Sequence, residues 1–259
     1  MIMKKVTFWS MLMLAVLILP MMVACGGDGD DDGGISISPS SVSMHYDDTQ
    51  QLNAQGATSW TSNDDFIAKV DQTGLVTGGH VGTTQITASN GKKSAICEVT
   101  ITPEYNLYDS PILEWGASMN SVQSSEIHEL LRSSDAALIY DYTKGTSPCL
   151  LTYSFENSTL KAIVAILNYS SYVDAGYYLL ERYQPIGESE GMYIFLDALT
   201  QSKATTIVGL STTTVSGSKV TEIIYMPASS NLRSVSNTSP FSLLFKDIEK
   251  ESELLDIFK

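Results

Sequence analysis

The chain has 259 residues, 43% of them apolar and 17% charged, with 29 acidic against 15 basic residues and a net charge of −14. This apolar share is enough for packed cores and excludes a wholly disordered chain, while the acidity repels phosphate backbones and excludes nucleic acid as an expected partner. Three cysteines make no disulfide framework, and His45, His80 and His128 lack the paired spacing of a metal site, so no cofactor or metal is expected.

Lys4 and Lys5 open the chain, and Val6 to Val23 form an apolar stretch interrupted mainly by Thr7, Ser10 and Pro20. Met22-Val23-Ala24-Cys25 closes it with small residues before a cysteine, the make-up of a secretory leader. The segment resembles a bacterial lipoprotein signal, which implies that 1–24 is removed and that Cys25 becomes the lipidated N-terminus. A plain membrane-spanning anchor is the competing reading, because the stretch approaches spanning length. The cysteine at its end favours the lipoprotein. Losing Lys4 and Lys5 but no acidic residue moves the charge from −14 to −16. Residues 25–34, with Gly26-Gly27-Asp28-Gly29-Asp30-Asp31-Asp32, read as a flexible acidic tether. An acidic run behind the lipidated cysteine also resembles the export signal of Bacteroidetes surface lipoproteins. That resemblance implies an outer-membrane, lipid-anchored protein displayed on the cell surface.

Residues 35–103 read as short strands between turns. Ile35 and Ile37 alternate with Ser36 and Ser38, Pro39-Ser40-Ser41 interrupts, and Val42 and Met44 precede an Asp47-Asp48 turn before Leu52 and Ala54. In Ala95–Thr102, Ala95, Cys97, Val99 and Ile101 share one face, which predicts a buried structural thiol at Cys97. Many short strands with Gly-rich turns and no helical period predict a β-sandwich. The ordered blocks Ile37-Ser38-Pro39, Thr49–Leu52, Trp60–Asn63, Ile67–Asp71, Gly74–Gly78 and Gly82–Ala88 resemble the bacterial Ig-like group 2 (BIG2) domain. The resemblance implies an Ig-like sandwich, common in surface adhesins and often a spacer, with no catalysis. Trp60 is the expected core anchor and Gly74, Gly78 and Gly82 the expected turns. Asp47 departs from the family's frequent glycine but tolerates turn geometry. His45-Tyr46-Asp47-Asp48 reads as a solvated hairpin turn, because neighbouring strand residues point apart and do not converge on a metal.

Residues 104–227 interleave helices with strands. Ser118 caps a predicted helix carrying Met119, Val122, Ile127, Leu130 and Leu131, and Ser133-Ser134-Asp135 ends it. Strands are predicted at Ala137–Tyr142, Cys149–Phe155 and Leu160–Leu167. Ser171 to Asp174 resembles a capping box for a second helix with Val173, Gly176, Tyr177, Leu180 and Tyr183 at helical spacing, stopped by Pro185 and Gly187. Strands then follow at Met192–Leu199, Ala204–Leu210 and Val220–Met226. The order α-β-β-β is thus read twice. It predicts an α+β domain built on an antiparallel sheet with both helices on one face, with Cys149 in its core. The opening Pro111–Ser118 is similar to uncharacterised domains of Bacteroidetes lipoproteins, which carries no activity.

A search for catalytic motifs finds no Gly-x-Ser-x-Gly, His-Glu-x-x-His, phosphate loop or Cys-x-x-Cys, so no catalytic residue is assigned and the protein reads as non-enzymatic. Glu126 and His128, two apart on the expected helix, face different directions and read as an exposed polar face. Glu181-Arg182 reads as surface charge near a helix C-terminus. Tyr105, Tyr108 and Trp115 at the domain entrance are the candidate ligand-binding residues, with a second aromatic group at Tyr169, Tyr172, Tyr177 and Tyr178. Such rings suit sugar or peptide surfaces, and they also suit half-buried helix–sheet contacts, the favoured reading because several fall at core spacing.

Residues 228–259 begin with a Ser/Asn-rich loop. Ser239-Pro240 then opens an amphipathic helix with Phe241, Leu244, Phe245, Ile248, Leu255 and Phe258 on one stripe. Its polar face is not basic, which disfavours a membrane surface. It docks on its own domain or on a partner. The expected protein is therefore a surface lipoprotein, held to the membrane by its anchor, that adheres to or captures an extracellular glycan or protein. The alternatives are a glycan-binding accessory of polysaccharide uptake, and an enzyme whose fold brings two carboxylates together.

Overall fold

The computed structural model describes residues 34–189, 191–215 and 217–229. Cys25, the acidic tether and the expected helix from Ser239 lie outside them. The chain divides into two compact units, Met1–Gly33 and Gly34–Lys259. The described residues all belong to the second.

The first part of that unit is all β. Its strands are β1 (Ile37–Ser38), β2 (Ser41–Met44), β3 (Thr49–Gln51), β4 (Asn53–Ala54), β5 (Ser59–Ser62), β6 (Ala68–Val70), β7 (Leu75–Gly78), β8 (Gly82–Ser89) and β9 (Ser94–Ile101). A sheet ordered β2-β9-β8-β5 faces a sheet ordered β3-β7-β6, and β1 pairs with β4. Between the sheets lie Met44, Leu52, Trp60, Val76, Ile86, Cys97, Val99 and Ile101. The alternation read in Ala95–Ile101 decides this: Cys97, Val99 and Ile101 are buried while Ile96 and Glu98 face out. Gly74 shows why that turn needs glycine. Its φ is +84°, and a Cβ there would lie 2.7 Å from Trp60 Cζ2 and 2.8 Å from the Leu52 oxygen. Asp47 adopts φ 64° in its turn, and His45 Nδ1 bonds the Thr102 carbonyl at 2.9 Å. Among the described residues no group of three His, Cys, Asp or Glu could hold a metal.

The second part contains α1 (Met119–Ser125), β10 (Glu129–Ser133), β11 (Ala137–Asp141), β12 (Cys149–Glu156), β13 (Thr159–Asn168), α2 (Tyr172–Leu180), β14 (Gln184–Ser189), β15 (Met192–Leu196), β16 (Thr206–Val215) and β17 (Ser218–Pro227). One antiparallel sheet of eight strands runs β10-β11-β12-β13-β17-β16-β15-β14. The order expected to be α-β-β-β repeated is α-β-β-β-β repeated, and the halves join through their last strands, with Ala165 opposite Ile223. The molecule is therefore mostly β, with two short helices, and α+β describes this part only loosely.

Each of the two missed strands has a physical cause. Ser118 caps α1 as expected, accepting from Ser121 N–H at 3.2 Å, but the helix stops after Ser125. Glu126 turns extended (φ −78°, ψ 134°) and its carboxylate accepts the backbone N–H groups of Ile127 and His128, which diverts the chain from helix. Leu130 and Leu131 consequently fall on β10, and Ile127 is 88% exposed. Pro185 and Gly187 lie within β14, an edge strand, where a missing N–H is tolerated and a register shift absorbs the glycine. The chain enters α2 through a 3-10 turn at Tyr169–Ser171, and Ser171 makes no side-chain cap.

Both helices pack on the same face of the sheet. Val122 of α1 and Ala175, Tyr178 and Leu179 of α2 share one core with Tyr140, Cys149, Leu151, Tyr153, Ile163 and Tyr225. Cys97 and Cys149 are both buried free thiols, each in its own core. Burial raises the pKa of both.

Candidate functional site

The three residues expected to bind ligand do not form a surface. Tyr108 is only 1% exposed, its hydroxyl meets that of Tyr225 at 2.5 Å, and its ring lies 4.8 Å from Tyr178. It is a core residue. Trp115 is half-buried against the same core and donates its indole N–H to Thr206 Oγ1 at 3.0 Å. Tyr105 is half-buried and stacks on Tyr177 with centroids 5.0 Å apart. An aromatic ring with a polar tip fits a core wherever the tip finds a partner, as those of Tyr108 and Trp115 do.

Helix α2 carries a surface instead. Val173 and Tyr177 were placed on its core side by spacing, yet the core takes Ala175, Tyr178 and Leu179. Its outward face carries Val173 and Tyr177, four residues apart and 63% and 48% exposed, and Tyr169 on the 3-10 turn before the helix is 47% exposed. Apolar residues on both faces leave the period unable to choose the buried one. Beside the stripe, Tyr193 of β15 is 47% exposed on the same side of the sheet as Phe195 of the helix-side core. Tyr172 is half-buried here. Its hydroxyl pKa is raised by burial first, then by Tyr193, Glu188 and Tyr169, which ties these residues to one locality. Lys219 Nζ sits 4.3 Å over the Tyr169 ring.

A second constellation centres on Glu126. One carboxylate oxygen accepts from Tyr142 (2.6 Å) and Tyr153 (2.7 Å), and the other from His128 Nδ1 (2.7 Å) and two backbone N–H groups. His128 stacks on Tyr142 with centroids 3.7 Å apart, and its Nε2 faces Asp109 Oδ2 at 3.4 Å. Lys144 closes the chain at 2.6 Å from Asp109 Oδ1. Glu126 and His128, expected to diverge on a helix, meet because the helix has already ended. Burial alone would raise the Glu126 pKa, but the hydrogen bonds from Tyr142, His128 and Tyr153 outweigh it and hold the carboxyl below its ordinary value. A carboxylate filled by five donors pins the α1–β10 junction and has no free lone pair for proton transfer.

The third site is the joint between the sandwich and the helix. Glu181 is buried, contrary to its reading as surface charge. Its carboxylate accepts the backbone N–H of Glu104 (2.9 Å) and Tyr105 (3.1 Å) and pairs with Arg182 at 3.3 Å. Its carbonyl accepts from Val81 N–H at 2.7 Å, and His80 Nδ1 bonds the Leu180 carbonyl at 3.1 Å. The sandwich thus satisfies carbonyls that the end of α2 leaves open. Arg182 lies over the Tyr178 ring at 3.8 Å and donates to the Tyr178 carbonyl.

Residues 33–99 match the bacterial Ig-like domain (group 2). The sandwich is a bacterial Ig-like domain. No curated protein matches the chain. Among solved structures, the chain is similar to domains 5–6 of the S-layer protein SbsC, at 16% identity over 76% of this chain and 85% of that one. It is also similar to domains 4–9 of that surface layer protein, at 16% identity over 74% of this chain and 26% of that one. Both have a TM-score of 0.23, which is too low to carry an argument. Among the described residues no helix is long and apolar enough to cross a membrane.

Proposed function

We propose that this is a non-enzymatic cell-surface lipoprotein, anchored in the outer membrane through Cys25, in which the Ig-like domain is a spacer and the second domain captures an extracellular ligand. The observation that carries the reading is the exposed pair Val173 and Tyr177 on α2, with Tyr169 exposed on the 3-10 turn before it. Contiguous exposed apolar side chains are costly in water and mark contact surfaces. The joint at Glu181 supports the spacer role, because a helix end held by the sandwich presents its outward face in a fixed direction from the sandwich.

The ligand is an extracellular protein in the leading form of this reading. A glycan is the second, favoured by the exposed rings of Tyr169, Tyr177 and Tyr193, which suit stacking on sugar faces. A binding screen of residues 35–259 against host-matrix proteins and a glycan array tests both. Capture that Val173→Ser with Tyr177→Ser abolishes supports the assignment, and capture they leave intact rejects it.

A further inference from the structure

Arg182 shows how this molecule holds a cation. Its guanidinium lies 3.8 Å over the Tyr178 ring and 3.3 Å from the Glu181 carboxylate, just past the end of α2. A ring face and a carboxylate act together there. The π cloud attracts the planar cation while the oxygen takes one of its N–H groups. Lys219, over Tyr169, shows that an ammonium also finds a ring on this domain's surface.

The same pair of groups recurs, exposed, on both sides of α2. Asp174 stands three residues before Tyr177, which sets the carboxylate beside the ring, and Tyr177 stacks on Tyr105. Burial is the first cause raising the Tyr105 hydroxyl pKa, and Tyr177, Asp174, Glu104 and Glu181 add to it. Those carboxylates are therefore within electrostatic reach of the stack. On the sheet, Glu188 of β14 is the direct cross-strand partner of Tyr193 of β15, so carboxylate and ring are neighbours on one face. Tyr193 in turn lies opposite Leu210, whose Cδ2 is 3.8 Å from where a Cβ on Gly176 of α2 would stand. Both pairs thus border α2. Asp174, Glu188 and Glu104 are exposed, and none of them is in an ion pair among the described residues.

We propose that the ligand presents a basic segment of an extracellular protein here, its Lys or Arg side chains settling on the Tyr177–Tyr105 and Tyr193 rings and pairing with Asp174 and Glu188. This rests on the reading that the outward face of α2 captures the ligand, and it names the chemistry captured. The occupant follows from charge complementarity. An acidic ligand would meet like charge at Asp174, Glu188 and Glu104, and a neutral glycan would use the rings and leave the carboxylates unanswered. The net charge of −14 draws a basic partner from a distance. The ring-and-carboxylate pairs fix where it lands.

The test titrates a fluorescein-labelled Arg-Gly repeat peptide, and a Glu-Gly peptide of equal length, onto residues 25–259 with Cys25→Ser. The Arg peptide should bind at low salt and weaken as salt rises. It should bind Asp174→Asn/Glu188→Gln about tenfold more weakly, because two ion pairs are lost. Glu98→Gln/Asp65→Asn removes the same charge from the exposed surface of the sandwich and should stay within about twofold of the parent. Equal loss in both charge variants, or a Glu peptide bound as tightly as the Arg one, overturns the proposal. So does a screened ligand, such as a neutral glycan, that Asp174→Asn/Glu188→Gln captures at the parent's affinity and Val173→Ser/Tyr177→Ser does not. The capture face would then stand and its basic chemistry fall. Arg-peptide binding undiminished in Val173→Ser/Tyr177→Ser overturns the face itself and the proposal with it.

Discussion

The backbone N–H of Val81 donates to the carbonyl oxygen of Glu181 at 2.7 Å, so a sandwich loop closes the end of a helix a hundred residues later in the chain. The same residue's carboxylate takes the N–H groups of Glu104 and Tyr105, where the chain passes from one domain to the other. One buried side chain therefore ties the end of α2 to the connection between the sandwich and the second domain. Glu181→Ala should strand both N–H groups, costing about 1–3 kcal/mol at the joint. Amide exchange at Val81, Glu104 and Tyr105 should accelerate, while exchange in the β8–β9 and β13–β17 ladders stays slow. Unchanged exchange at those three amides would show that the joint does not depend on Glu181.

His80 gives the joint a pH dependence. Burial is the main cause holding its pKa below the ordinary 6.5, assisted by Lys69 and opposed by hydrogen bonds to Leu180 and Gln184. Below pH 6.5 the unfolded chain takes up a proton that the folded one resists, so stability should fall as the pH drops through about 6.5. Urea unfolding at pH 7.5 and 5.5 should show that loss in the parent and a smaller one in His80→Gln. Equal losses in both would place the effect elsewhere.

Glu222 acts in the opposite sense. Burial pushes its carboxyl up to about 7, against a lowering hydrogen bond from Ser211. Between the ordinary 4.5 and that value the folded state holds the proton. Stability from this residue is thus full below pH 4.5 and lost as the pH rises through about 7. Glu222→Gln should remain protonated in effect and stabilise at pH 8 by up to about 3 kcal/mol, with no gain near pH 4. A denaturant titration at the two pH values measures it.

How much of this was legible in the chain depended on whether one force acted alone. In Ala95–Ile101 alternation is the only signal, and the buried face follows directly. At Ile127, Leu130 and Leu131 the spacing fits a helix, yet one carboxylate at Glu126 captures two backbone N–H groups and starts a strand. No local pattern shows that, because the pull on Glu126 comes from Tyr142 and Tyr153, distant in sequence. The α2 stripe was hidden differently: a helix apolar on both sides offers two candidate cores. The Glu181 joint was hidden because a charged pair at a helix end looks the same whether it is solvated or buried. Its partners Val81 and Glu104 lie in another domain and in the connection to it.

The Glu126 cluster should prove structural. Glu126→Ala leaves Tyr142, Tyr153 and His128 without their acceptor inside the fold, a loss of at least about 3 kcal/mol. Because its folded pKa is lowered, the stabilisation from Glu126 is present above the ordinary 4.5 and should disappear as the pH falls below it. Chemical unfolding with near-ultraviolet circular dichroism of the tyrosines reports both. A variant as stable as the parent would free the cluster for another role.

The central claim is that the outward stripe of α2 captures the ligand. Val173 is 63% exposed, so Val173→Ser should change stability by only about 0.5 kcal/mol, while Tyr177→Ser also removes the stack on Tyr105 and should cost about 0.5–1.5 kcal/mol more. The direct measurement is binding of residues 35–259, parent and double variant, to whatever ligand the screen of matrix proteins and glycans returns. The double variant should stay folded, with a slightly lowered unfolding midpoint, and lose capture. Capture at the parent's affinity by the folded double variant would contradict it.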